Sequence, residues 1–272
     1  MKQFIFKMEP DKDNTVRLDG SDYHYLVRVR RLAVGEFFSA LLPNGEETRI
    51  QILSIDGETL TGKCNINDQS SVPRTGGSTS ETSCKIILFQ ALPKADKMDL
   101  VVRQAAEGGI AEIVPFVSEF SIAKTKADSQ KYTRWERIIK EARQQCGSRT
   151  ATTLHNPLTM NELFNYWNEV KEKNTQSAEA LGLLFHHQVI TDSPLAHNSL
   201  HGYLNSNPGV IALVIGPEGG FSEAEISLFM ENGFNPIMIG DTVLRTETAA
   251  LYFAAAIRVL LLEKDSWELK RT

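Results

Sequence analysis

The chain has 272 residues, 42% hydrophobic and 23% charged, with 29 Lys+Arg against 34 Asp+Glu for a formal charge of −5. Such a balance excludes disorder as the main state and leaves enough apolar residues for a sizeable core. Membrane spanning is excluded too: the longest strongly apolar stretch, Ala249 to Leu262, is interrupted by Arg258 and falls short of the roughly 20 residues required. The opening stretch MKQFIFKMEP has no long apolar run and no small-residue cleavage site, so a cytoplasmic protein without a secretion signal is expected. Cys64, Cys84 and Cys146 form no CxxC pair, and neither a disulfide framework nor a metal site is expected.

In chain order, a helix-like piece covers Asp22 to Leu32. Three short runs follow, Phe37 to Leu42, Arg49 to Ile55 and Thr59 to Cys64, separated by Pro43-Asn44-Gly45 and Asp56-Gly57. Period-two alternation with that punctuation predicts hairpins of a small β-barrel. Asn67 to Ser83 is a seam, since eight of its 17 residues are Ser or Thr and a Gly-Gly pair sits inside it. Beyond it the texture changes to strands alternating with helices. Strands are predicted at Lys85 to Gln90, Ile110 to Val117, Leu181 to Phe185, Val210 to Ile215 and Pro236 to Ile239, with helices at Lys97 to Gly108 and Tyr132 to Gln145. Strands lacking polar alternation, with helices between them, predict a parallel sheet covered on both faces.

Three stretches carry candidate chemistry. Ile215-Gly216-Pro217-Glu218-Gly219-Gly220-Phe221-Ser222 follows a buried strand and precedes a helix that Ser222 and Glu225 cap. Its three glycines let backbone approach a ligand, so a branched side chain at Gly219 is expected to block it. The spacing is neither GxGxxG nor a P-loop. In Gly240 to Ala249, Thr246 can cap the last helix, and Glu247 complements its dipole. Arg245 stands on the same sheet edge as the glycine loop, where its fork can clamp an anion. Leu184-Phe185-His186-His187 ends a strand and lines the same crevice. The last helix, Ala250 to Leu262, is apolar nearly all round, so it is buried on more than one side or against a second subunit.

Charge is distributed unevenly. Ser121 to Thr150 holds eight basic residues (Lys124, Lys126, Lys131, Arg134, Arg137, Lys140, Arg143, Arg149) against three acidic ones. Arg28, Arg30 and Arg31 form a second cluster, and Lys94 and Lys97 flank the start of a helix. Clusters on both halves fit a polyanion laid across them, which the overall −5 conceals.

Together these residues resemble the RsmE family, bacterial 16S ribosomal RNA uridine-N3 methyltransferases of the SPOUT superfamily. His24 to Gly35 (HYLVRVRRLAVG) is similar to its H-x-x-x-V-L-R-x-x-x-G stretch. Ala91 to Glu107 (ALPKADKMDLVVRQAAE) resembles its K-x-x-K-M-[ED] helix, and Glu141 to Arg149 (EARQQCGSR) its EA-x-EQ-[SC]-x-R segment. The most specific pair is IGPEGGFS followed by VLRTETAAL. The chain departs from the family at Gly108-Gly109 (usually Leu-Gly), Asp241-Thr242 (commonly Pro-Arg) and Phe185-His186-His187 (a Leu-His-Glu type of loop).

The resemblance implies an α/β fold: a carboxyl-terminal SPOUT methyltransferase domain with a deep trefoil knot and a mostly parallel sheet, plus a small amino-terminal PUA-like β-barrel that grips RNA. The implied division is 1–73 barrel, 74–83 linker and 84–272 methyltransferase domain. The implied cofactor is S-adenosylmethionine, held by three knot loops through Leu184, Phe185 and His186, then Ile215, Gly216, Pro217, Glu218, Gly219 and Gly220, then Ile239, Gly240, Val243, Leu244 and Thr246. Arg245 is the candidate for electrostatic stabilisation or substrate positioning, and Glu247 is a second catalytic candidate. Arg28, Arg30, Arg31, Lys94, Lys97, Arg143 and Arg149 are candidate RNA contacts. The implied partners are 16S ribosomal RNA or the small ribosomal subunit and a second copy of the chain. The alternatives are a SPOUT enzyme acting on a ribose 2′-hydroxyl or another base, and a non-catalytic RNA-binding assembly factor.

Overall fold

The computed structural model describes residues 4–6, 9–42, 47–65, 84–121, 129–148, 150–174, 179–186, 199–238 and 242–268. The seam at Asn67 to Ser83 lies outside them. The chain forms two compact units: Met1–Gly77 with Arg143–Ala151, and Ser78–Ala142 with Thr152–Thr272.

The first unit is a five-stranded sheet. β1 (Phe4–Ile5), β2 (Thr15–Leu18), β3 (Phe37–Leu41), β4 (Glu47–Asp56) and β5 (Thr59–Asn65) lie in the order β1-β3-β4-β5-β2. The ladders β3–β4, β4–β5 and β2–β5 are antiparallel and β1–β3 is parallel. Alternate residues of these strands, among them Val16, Leu18, Phe38, Ala40, Ile50, Ile52 and Leu60, share one core with Phe4 and Phe6, so the sheet curls round its apolar side. The helix expected at Asp22 to Leu32 is shorter and wider. α1 (Gly20–Tyr23) runs into a π-helical turn, His24–Val29, after which the Arg30 N–H donates to the Tyr25 carbonyl at 2.9 Å.

The second unit holds six parallel strands in the order β11-β9-β10-β6-β7-β8. They are β6 (Lys85–Ala91), β7 (Glu112–Phe116), β8 (Thr153–Leu154), β9 (Ala180–Phe185), β10 (Val210–Ile215) and β11 (Phe234–Ile237). The helices are α2 (Lys97–Glu107), α3 (Ser129–Cys146, which from Arg143 on belongs to the first unit), α4 (Met160–Asn174), α5 (Leu200–Leu204), α6 (Glu223–Glu231) and α7 (Thr246–Glu268). Because successive strand side chains point to opposite faces, Ile86, Leu88, Ile211, Leu213 and Ile215 enter a core with α2, α3 and α7. Ile87, Phe89, Ala212 and Val214 enter another with α4 and α6. Strands buried on both faces read as continuous apolar runs, as expected of a parallel sheet.

Several element bounds differ from those expected, and two elements were not expected at all. The last strand begins two residues earlier, at Phe234, directly after Gly233 ends the α6 turn. Pro236 is accommodated there because β11 is an edge strand paired only with β9. α4 and β8 were not expected, although Leu163, Phe164, Trp167 and Val170 recur at helical spacing on the buried side of α4; the helix begins where Thr159 and Glu162 bond each other's side chain and backbone. The threading that makes a trefoil knot turns on segments that include 187–198 and 239–241, which lie outside the described residues. No helix of the structure is long and apolar enough to cross a membrane, among the described residues.

Candidate active site

The strand order changes direction between β6 and β10, and ligands of open α/β sheets bind outside the carboxyl ends of strands at such a point. There the second unit has a cavity of about 420 Å³, within the size range of small-molecule sites. Its wall comes from the end of β9 (Phe185, His186), the β10–α6 connection (Ile215 to Phe221), Met238, the segment Thr242 to Thr246, and Ala249 and Phe253 on α7, with Lys97 from α2. The fold therefore brings together Phe185, His186, Ile215, Gly216, Pro217, Glu218, Gly219, Gly220, Val243, Leu244, Arg245 and Thr246 from three distant stretches of sequence. Ile239 and Gly240 lie outside the described residues, as do His187 and Asp241.

Leu184 is not among the residues that line the cavity. It is fully buried among the residues packed against α4 and α6, because a strand that turns Phe185 toward the cavity must turn its neighbour away. Phe253, which the sequence reading missed, stacks on Phe185 with ring centroids 3.7 Å apart and planes at 19°. Helical spacing from Thr246 through Ala249 to Phe253 is the signal that finds it.

The loop's glycines are explained by the protein itself. Gly220 has φ +71°, the left-handed region that favours glycine. A Cβ on Gly219 would stand 2.9 Å from the Phe120 Cβ. A side chain at Gly219, which lines the cavity, thus meets Phe120 of the protein itself. Ser222 and Glu225 form the expected capping box, and Glu225 also accepts the Glu119 N–H at 2.9 Å, so one buried carboxylate fastens α6 to the chain after β7.

Thr246 does not cap α7. The helix begins at Thr246 itself, and the Arg245 carbonyl accepts the N–H groups of Thr248 and Ala249 at 2.9 and 2.8 Å. The Thr246 hydroxyl donates instead to the Gly216 carbonyl at 2.6 Å and accepts from Gln90 Nε2 at 3.0 Å. Gln90, fully buried on β6, also donates to the Ala91 carbonyl. A buried relay thus joins the central strand, the glycine loop and the start of the last helix.

Lys97 was expected to face RNA. Its ammonium lies 2.8 Å from Glu218 Oε1 and 3.6 Å from Glu247 Oε2 on the cavity wall. Glu218 also accepts the Lys94 N–H at 3.1 Å. Burial alone would raise the Glu218 carboxyl, yet the bonds from Lys97 and the backbone hold it below its ordinary value; its bond to Lys97 raises that ammonium. Glu218 is thus a clasp on Lys97 and Lys94, leaving its loop's backbone for a ligand. Glu247 is nearly buried beside Lys97, and its Oε2 accepts no hydrogen bond. Arg245 is exposed on the wall, and among the described residues its guanidinium has no ion-pair partner. Arg28, Arg30 and Arg31 lie at the π-helical turn, Arg143 is in the last turn of α3, and Arg149 is outside the described residues.

A family model for the RNA methyltransferase domain matches residues 80–258, and one for the RNA methyltransferase PUA domain matches residues 18–63. The chain is 30% identical to the ribosomal RNA small subunit methyltransferase E of Synechocystis over 91% of its own length and 74% of that protein's. This chain belongs to the ribosomal RNA small subunit methyltransferase E family. The fold matches the enzyme of that name from Neisseria gonorrhoeae, crystallised with S-adenosylmethionine, at TM-score 0.70 and 22% identity over 96% of this chain and 98% of that one. A Legionella pneumophila protein solved with the same cofactor matches at TM-score 0.66 and 25% identity, over 95% and 96% of the two chains.

Proposed function

We propose that the protein is an S-adenosylmethionine-dependent methyltransferase acting on N3 of a uridine in 16S ribosomal RNA. The observation that carries this reading is the convergence, on one cavity at the reversal of strand order, of the Ile215 to Phe221 loop, the end of β9 and the Arg245 segment, in a chain of an RNA methyltransferase family. The cavity's chemistry fits the cofactor. Backbone of the glycine loop and of Thr242 to Thr246 is available to polar groups, and Phe185, Met238, Leu244 and Phe253 supply apolar wall.

When bound, the cofactor supplies an electrophilic methyl group, so the protein's tasks are alignment and the handling of one proton. Uracil N3 is a weak nucleophile until that proton leaves, and the negative charge then spreads to O2 and O4. The Arg245 guanidinium, exposed on the wall and without an ion-pair partner among the described residues, stabilises that charge in this reading. Glu247, beside Lys97, supports the wall rather than acting as a free base. N3 lies on the pairing edge, so the target uridine is unpaired or extruded.

Two copies of the chain act together in this reading. α7 buries Ala250, Phe253, Ala254 and Ile257 but leaves Leu251, Tyr252, Val259 and Leu262 between 38% and 51% exposed along one side. An apolar stripe of that kind on an otherwise packed helix calls for a partner. Residues 1–73 grip RNA, 74–83 connect, and 84–272 carry the transfer, with the three cofactor loops tied in a trefoil knot and the enzyme working in the cytoplasm. The deciding experiment is methyl transfer to assembled small subunits from a strain lacking the enzyme, with the product nucleoside identified by mass spectrometry. N3-methyluridine is expected; a methylated ribose or another base would overturn the reading, and calorimetry showing no S-adenosylmethionine binding at millimolar ligand would favour a non-catalytic role.

A further inference from the structure

Inward-facing residues of the amino-terminal sheet fill its core, but its outward face is not the polar surface that such a sheet usually shows to water. Phe37 stands on that face with 40% of its surface exposed, and Leu53, at the register shift of β4, with 46%. The fold does not need Phe37, since Phe38 supplies the core side of β3. The Arg49 guanidinium lies 4.8 Å from the centre of the Phe37 ring. Cross-strand register places Phe37 opposite Gln51, Gln51 opposite Lys63, and Arg17 opposite Thr61, so β3, β4, β5 and β2 present one continuous face about 14 Å across.

Arg17, Arg49 and Lys63 are all exposed, and among the described residues none is paired with a carboxylate. Along the strands the acidic residues on this side stand only at the ends of β4, at Glu47 and Asp56. In a chain of net charge −5, this face has three cations along its strands, with its two carboxylates at the ends of β4, and an aromatic ring among them. Stacking on a ring serves any base, and guanidinium and ammonium groups neutralise phosphates. Neither a membrane, which would want a larger apolar area, nor an acidic peptide uses an isolated ring paired with Arg so directly.

We propose that this outward face is a second substrate contact, which stacks an unpaired base of the ribosomal RNA on the Phe37–Arg49 pair and holds the adjoining phosphates with Arg17, Arg49 and Lys63. Its residues are other than the arginines of the π-helical turn, and it rests on the reading that the substrate is RNA.

The test compares the full-length protein with F37A, F37W and the triple variant R17Q/R49Q/K63Q. The measurements are binding to protein-free 16S RNA over a range of salt, and methyl transfer to assembled subunits. The triple variant is expected to flatten the dependence of log K on log salt by about 2, the share of three phosphates on a single strand. F37A is expected to weaken binding about ten-fold with the salt slope unchanged, and F37W to restore it. In both deficient variants KM for subunits rises, while kcat and S-adenosylmethionine affinity stay at the wild-type value. Wild-type binding and KM in all variants would overturn the proposal. So would variants that bind protein-free RNA normally but lose activity on subunits, which would make the face a contact for a ribosomal protein. Failure of the wild-type protein itself to methylate subunits would sink the functional reading instead.

Discussion

Thr246 and Lys97 make contacts that their places in the sequence do not suggest, because their partners lie far along the chain. Thr246 bonds Gly216, 30 residues away, and Gln90, 156 away. Thr246→Val should strand the Gly216 carbonyl and the buried Gln90 amide, at a cost of about 1–3 kcal/mol, and should weaken cofactor binding, whereas Thr246→Ser should keep both. Urea unfolding and calorimetry check the two effects, and a fully stable Val variant would mean that the relay holds nothing. Arg245→Ala should lower kcat by about 100-fold, the usual effect of removing one stabilising donor, with cofactor affinity nearly unchanged. Single-turnover rates beside calorimetry separate these quantities; a parallel loss of affinity would instead make Arg245 part of the cofactor site. Gly220 needs its left-handed backbone, so Gly220→Ala should cost about 1 kcal/mol or more. At Gly219 the obstacle is the Phe120 Cβ, and pairing Gly219→Ala with Phe120→Gly, which removes that atom, should recover part of any stability the Gly219 change loses.

α7 is the element that carries the most roles. Its first turns line the cavity through Thr246, Ala249 and Phe253, and Ile257 lies wholly in the core. Arg258 interrupts the apolar sequence because it donates to the Gly108 carbonyl at the carboxyl end of α2, where a cation complements the helix dipole. Periodicity showed the helix to be apolar nearly all round but could not say which side the chain itself would cover. Leu251, Tyr252, Val259 and Leu262 are the side it leaves open. If the proposed dimer forms through this side, Tyr252→Glu with Val259→Glu should shift the protein to monomer in sedimentation velocity with its helix content retained. An unaltered sedimentation coefficient would remove α7 from the interface.

On the scale of the whole molecule, the sheet's amino-terminal edge is held by one carboxylate. Glu112 on β7 lies 2.8 Å from His155 Nε2 and also takes Lys85 on β6 and the Tyr166 hydroxyl on α4. Burial would raise its carboxyl, but the bonds from His155, Lys85 and Tyr166 prevail and lower it from 4.5 to about 2. Burial and Glu112 push the Tyr166 hydroxyl up in turn. The stabilisation from Glu112 is thus complete above pH 4.5 and is lost as pH falls toward about 2. Urea midpoints measured across that window should fall more steeply for the wild-type protein than for Glu112→Gln, and equal slopes would contradict the assignment. None of these four residues was visible as a group in the sequence, since the contacts that unite them span 27, 43 and 54 positions. What the sequence determined by itself was local: the apolar runs of β6, β9 and β10, the Ser222–Glu225 capping box and the glycine loop each declare themselves within a few neighbouring residues. Its motifs also placed the chain in its family. Tertiary structure alone decided that Leu184 faces away from the cavity, that Lys97 joins two carboxylates, that Thr246 is a tie and not a cap, and that Phe37 is left outside a finished core. Periodicity is a property of neighbours in the chain, whereas partners, burial and the side of a helix left uncovered depend on residues brought together only when the sheet closes.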